Sequence, residues 1–177
     1  MRLFLALIPP PELRRQLGQL GDAAHAPCGG RRIVDDNLHL TLAFLGERSA
    51  AEAESLSRWL ERQVFGAGQW RLDRWGYFAG PRIIWVGGPG SAELQRRQAS
   101  LVASLKGFGI VVQPRQFRPH ISLLRNASPP PDTDLPKVGL DWSYARVSLV
   151  SSVPTPHGSR YTTLAQSRPQ DDAFSGK

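Results

Sequence analysis

The chain of 177 residues contains one cysteine, one methionine and very few lysines. The lone Cys28 excludes an intramolecular disulfide and any metal site built on several cysteines, which suits a reducing, cytoplasmic setting. No apolar run approaches the roughly 20 residues a helix needs to cross a bilayer, so a soluble protein with no membrane partner is expected. The nearest imitation of a leader is Met1-Arg2-Leu3-Phe4-Leu5-Ala6-Leu7-Ile8. It is short, ends at the prolines 9–11 and continues into a charged helical pattern without a clear cleavage site, and so reads as a buried first strand. Carboxylates are also in deficit. Against 15 acids stand 22 lysines and arginines, nearly all arginine, which gives a formal net charge of +7 and a sequence pI near 10.5. An excess of planar guanidinium forks fits an anionic, phosphate-bearing ligand. The same charge also describes an ordinary solvated basic surface.

Short periodic apolar runs, 41% hydrophobic residues in all, point to a folded chain rather than a disordered one. The length suits one domain or two small fused lobes. Strands are predicted over 2–8, 31–34, 38–45, 70–78, 82–86, 144–151 and 161–166, with residues 110–112 also extended. Three helices are predicted between them. The first carries Leu13, Leu17 and Leu20 inward; the second opens on the capping box Ser49/Glu52 and carries Leu56, Leu60 and Val64; the third is capped by Ser91, carries Leu94, Leu101 and Leu105, and stops at Gly107. Residues 1–167 are expected to form one bilobal domain, and 168–177 a flexible tail. The prolines 129–131 and Pro136 mark a loop.

The most informative feature is a phrase that occurs twice, His39-Leu40-Thr41-Leu42 and His120-Ile121-Ser122-Leu123. Alternate side chains of a strand share a face, so His39 lies beside Thr41 and His120 beside Ser122. Each phrase supplies a proton carrier and a hydroxyl. Two such strands facing one cleft would set an acid and a base on either side of a phosphate, with two hydroxyls for its oxygens. Imidazole, with an ordinary pKa of about 6.5, suits both proton roles near neutral pH, and no metal or other cofactor is required. A metal site is disfavoured because only Asp35 and Asp36 lie close in sequence to either phrase. His25 and His157 lack the companion hydroxyl pattern and read as ordinary residues.

These residues resemble the two-histidine phosphoesterase superfamily, and within it the bacterial and archaeal RNA 2′,3′-cyclic phosphodiesterases, also called 2′-5′ RNA ligases. The resemblance rests on Arg2 to Leu7, on His39 to Gly46, on Arg118 to Arg125, and on the segments 147–152 and 158–164. Ser122 stands where threonine is commoner and keeps the hydroxyl. The resemblance implies an α+β fold, with two pseudo-symmetric lobes of mostly antiparallel sheet and outer helices around a central cleft. It also implies opening of a 2′,3′-cyclic phosphate on RNA ends or nucleotides to a 2′-phosphomonoester. His39 would be the acid at O3′, His120 the base that activates water, and Thr41 and Ser122 would hold phosphate oxygens. Ligation would use a 5′-hydroxyl in place of water. The resemblance further places Arg125 at the phosphate and Phe44 beneath the nucleobase. Each sits five residues after its histidine, where strict alternation turns it to the opposite face, so a bulge or a strand end must re-aim it. A monomer is expected. A module that binds RNA ends without turnover stays open as the alternative.

Overall fold

The first strand, β1 (Arg2–Leu7), is apolar on both faces for a structural reason. Leu3, Leu5 and Leu7 point into the principal core, while Phe4 and Ala6 pack with Val150 and Tyr161 on the other side. The computed structural model describes residues 1–112, 116–132 and 135–170. In it β1 lies between two antiparallel partners, β3 (Leu40–Glu47) and β9 (Ser148–Thr155), and β9 continues by a hairpin into β10 (Gly158–Gln166). The order of this sheet is β10-β9-β1-β3. A second antiparallel sheet has the order β2-β7-β6-β5, formed by β2 (Arg31–Arg32), β7 (His120–Arg125), β6 (Ile83–Gly87) and β5 (Arg74–Phe78). The strands β4 (Gly68–Leu72) and β8 (Leu140–Tyr144) make a separate antiparallel pair. The fold is α+β with mostly antiparallel sheet, as the family resemblance implied.

Three helices cover the sheets. The helix α1 (Pro11–Cys28) starts with proline at its first position, where the missing amide costs nothing, and packs against β7. Its Leu13 and Leu17 are buried and Leu20 is half-buried. A side chain at Gly18 would collide with Asp35 and Arg32, so only glycine lets that ion pair lie against the helix. The helix α2 (Ala50–Leu60) packs against β9 and β10. Its capping box is complete: the Glu52 amide donates to Ser49 Oγ (3.2 Å) and the Ser49 amide donates to the Glu52 carboxylate (2.8 Å). In α3 (Ala92–Leu105), Ser91 Oγ accepts from the Leu94 amide at 3.2 Å, and Leu94, Leu101 and Leu105 are buried. No helix of the described residues is long and apolar enough to cross a membrane.

Several boundaries differ from those read in the sequence. The expected strand 70–78 is two strands in different sheets. The break is at Asp73, whose amide donates to the Gly87 carbonyl, while β4 leaves to pair with β8. Tyr144 accordingly ends β8 rather than opening β9. Residues 110–112 form no strand, although Ile110 is buried. The helix α2 ends at Leu60, which leaves Val64 outside it and 56% exposed in an isolated bridge to Arg168. The third helix runs on into a 3-10 turn, and Gly109, at φ 68°, is the left-handed stop instead of Gly107. At the C-terminal end the Arg168 amide donates to the Gln63 carbonyl, so hydrogen bonding extends one residue beyond the expected boundary. The remainder of the expected tail, 171–177, lies outside the described residues, as do 133 and 134 of the proline-rich loop.

Candidate active site

The motif strands β3 and β7 belong to different sheets yet touch each other, and Leu42 and Leu123 share one core. Each strand has an extra residue at the same point of its register. Along β3, Leu5 pairs with Ala43 and Ala6 with Thr41, so Leu42 is unmatched; along β7, Ile84 pairs with Leu124 and Trp85 with Ser122, so Leu123 is unmatched. Both bulges fall three residues after the histidine. Each reverses the alternation, and the reversal shows in burial: Leu42 and Ala43 are consecutively buried, as are Leu123 and Leu124. Residues 39 and 41, then 44, therefore face one side, and residues 120 and 122, then 125, face theirs. This is the re-aiming that Phe44 and Arg125 required. A second register shift in β3, at Leu45, is followed by Gly46 at φ 76°.

The carbonyls freed by the bulges are not left without donors. Gln98 of α3 donates its side-chain amide to the Leu42 carbonyl at 3.0 Å, and the Ile33 amide donates to the Leu123 carbonyl at 2.9 Å. Buried backbone groups of this kind need partners, so these two bonds hold the irregular registers in place.

The two imidazoles are held alike. His39 Nδ1 donates to the Asn37 carbonyl and His120 Nδ1 donates to the Arg118 carbonyl, each at 2.7 Å. A carbonyl can only accept, so Nδ1 carries a proton in both rings and Nε2 is the nitrogen with the free lone pair. His39 Nε2 accepts from the Thr41 hydroxyl at 3.0 Å. Aromatic rings fix both planes. Phe4 lies under His39 at 4.8 Å and Tyr161 meets it edge-on at 5.4 Å, while Phe78 meets His120 edge-on at 4.9 Å. Burial is the main force pulling the His39 pKa down to about 4; Arg125 and His120 add to it and the Asn37 bond opposes it. His120 is lowered as well, again chiefly by burial, with the Arg118 bond opposing and Arg125 adding.

All six candidate residues, His39, Thr41, Phe44, His120, Ser122 and Arg125, line one cavity of about 700 Å³. Phe44 is 72% exposed, so it is not a core residue. Among the described residues the lining includes four arginines and three histidines and no carboxylate, the composition of an anion site. Among the described residues no cluster of three or more His, Cys, Asp or Glu is arranged to hold a metal ion. Sequence reasoning missed Tyr161, Asn37 and Arg31, and it passed over His157, which the β9–β10 hairpin brings to the cavity. Their one advance signal was weak: Tyr161 opens the strand predicted over 161–166, which in the structure begins at Gly158. His25 was read as ordinary; its Nε2 bonds the Gly30 carbonyl and the residue does not line the cavity.

Comparison with known proteins turns this arrangement into a family assignment. A family model described as LigT-like phosphoesterase matches residues 7–85. An RNA 2′,3′-cyclic phosphodiesterase of Escherichia coli is 36% identical over 92% of this chain and 93% of its own length. The chain belongs to the LigT-like phosphoesterase family. A second member with the same name, from Thermus thermophilus, is 33% identical over 93% of this chain and 88% of its own. The crystal structure of Escherichia coli LigT complexed with 3′-AMP superposes with a TM-score of 0.79, at 35% identity, covering 93% of this chain and 95% of that one. The LigT-like match itself ends before β7, which carries His120 and Ser122.

Proposed function

We propose that this protein opens 2′,3′-cyclic phosphates on RNA ends or nucleotides to 2′-phosphomonoesters, using His39 and His120 as an acid and base pair and no metal. The observation that carries this reading is the pair of matched, bulged strands. Each presents an imidazole held through Nδ1 by a backbone carbonyl, with a hydroxyl beside it, to one cavity whose described lining has no carboxylate. The relatives' shared name and the 3′-AMP complex of one of them support the substrate class.

In the proposed step, His120 Nε2 takes a proton from water as the water oxygen bonds to phosphorus. The P–O3′ bond breaks, and His39 Nε2 gives its proton to O3′. Thr41, Ser122 and Arg125 donate to the non-bridging oxygens, and Phe44 offers its exposed ring to the base. The division of roles has a physical basis. The imidazolium with the lower pKa releases its proton more readily, and His39 is the one pulled to about 4. Its protonation at pH 7 in the empty cavity would cost about 4 kcal/mol. An anionic substrate against Arg125 offsets that cost, because it cancels the positive field that disfavours the imidazolium. A 5′-hydroxyl in place of water would join two ends through a 2′-5′ linkage.

Phosphorus NMR of an RNA 2′,3′-cyclic phosphate incubated with the protein and excess chelator tests this reading. A 2′-phosphomonoester is expected, with His39→Ala and His120→Ala each slowed about 10²- to 10⁴-fold. Full activity in either variant, or a 3′-phosphate product, would contradict it. Tight binding with no ring opening would favour the binding module instead.

A further inference from the structure

The cavity holds more cationic apparatus than one phosphate uses. Arg31 of β2 is the register partner of Arg125 of β7. Directly opposed residues of an antiparallel pair share a face with their Cα atoms about 5 Å apart, and like charges so placed repel. Both arginines line the cavity, and among the described residues neither has a carboxylate partner. The contrast with the neighbouring residue is instructive. Arg32 is neutralised by Asp22 at 2.5 Å and Asp35 at 2.7 Å on the helix side. Arg31, exposed, instead reaches across to the tip of the β9–β10 hairpin, with its guanidinium against Gly158. His157 and Ser159 flank that glycine and also line the cavity. An unneutralised arginine pair beside a histidine and a hydroxyl is a stable arrangement when two anionic groups lie over it.

We propose that Arg31, with His157 and Ser159, forms a subsite for a second phosphate, the phosphodiester on the 5′ side of the nucleotide whose cyclic phosphate lies at the histidine pair. This rests on the function proposed above and narrows it. The substrate class is an oligonucleotide end, with Arg125 engaging the reacting phosphate and Arg31 the one before it. The cavity's volume, about 700 Å³, lies in the upper half of the range usual for ligand sites, about 300–1,000 Å³.

The test compares kcat/KM for a nucleoside 2′,3′-cyclic phosphate with that for a dinucleotide ending in the same cyclic nucleotide. The protein variants are wild type, Arg31→Ala and Arg31→Lys. Wild type should prefer the dinucleotide about tenfold or more, and Arg31→Ala should erase most of that preference. The slope of log kcat/KM against log salt for the dinucleotide should become shallower by about 0.7 in Arg31→Ala and be largely retained in Arg31→Lys, as for one lost contact to a single strand. An unchanged ratio of the two substrates in Arg31→Ala, with an unchanged salt slope, would overturn the subsite while leaving the cyclic phosphodiesterase reading intact. A wild-type protein that opens neither ring would overturn that reading, and the subsite with it.

Discussion

Acidification from pH 7 to pH 4 removes stability through His39, and the amount follows from its surroundings. The ring is packed between Phe4 and Tyr161 and bonded through Nδ1, and burial takes its pKa from 6.5 to about 4. Between those two values the unfolded chain binds a proton at residue 39 that the native protein does not. Stability therefore rises with pH across this window, is fully present above about 6.5, and is lost as the pH falls towards 4. The loss reaches about 2 kcal/mol at pH 5 and about 3 kcal/mol at pH 4. His120 contributes in the same direction. His39→Gln removes the titration at residue 39, and urea unfolding of both proteins at matched pH isolates it, since every other group titrates in both. The gap between wild type and variant should change by about 3 kcal/mol in the variant's favour between pH 7 and pH 4. Stability curves that run parallel over that range would refute the claim that the fold buries a neutral imidazole.

Three further outcomes are expected. Gln98→Leu leaves the bulged Leu42 carbonyl without its donor, and urea unfolding should report a loss of about 1–3 kcal/mol. Phe44→Ala should leave stability within about 0.5 kcal/mol, because the ring is exposed, while raising KM for a cyclic nucleotide about tenfold through lost stacking. The bell of kcat/KM, which reports the free enzyme, should lie at lower pH than the bell of kcat, because bound anion raises both lowered imidazole pKa values. A kcat optimum at or below that of kcat/KM would contradict the proposed role of burial and Arg125.

The histidine and hydroxyl pairs were legible because alternation along a strand is local. Two residues of spacing are enough to place His39 with Thr41 and His120 with Ser122. The bulges had a local signature too, in the adjacent apolar pairs Leu42-Ala43 and Leu123-Leu124, where alternation would place one of each pair in the cleft. Other parts depend on distant chain. Nothing near Asp73 says that its amide will meet Gly87, so the split between β4 and β5 was invisible, as was the departure of β4 to β8. Tyr161, His157 and Arg31 reach the cavity only because the β9–β10 hairpin and the two-residue β2 close over it. Val64 continues the apolar spacing of α2, but the helix ends four residues earlier and tertiary pairing with Arg168 takes over.

Histidine ring nitrogen NMR, followed through a pH titration with and without a nucleoside 2′-phosphate, tests the convergence of His39 and His120 most directly. The titration midpoints of both rings are predicted to rise on binding, at one ligand per chain, with Nδ1 remaining protonated throughout. Movement of one ring alone, or of neither, would mean that the two imidazoles do not meet at a common phosphate.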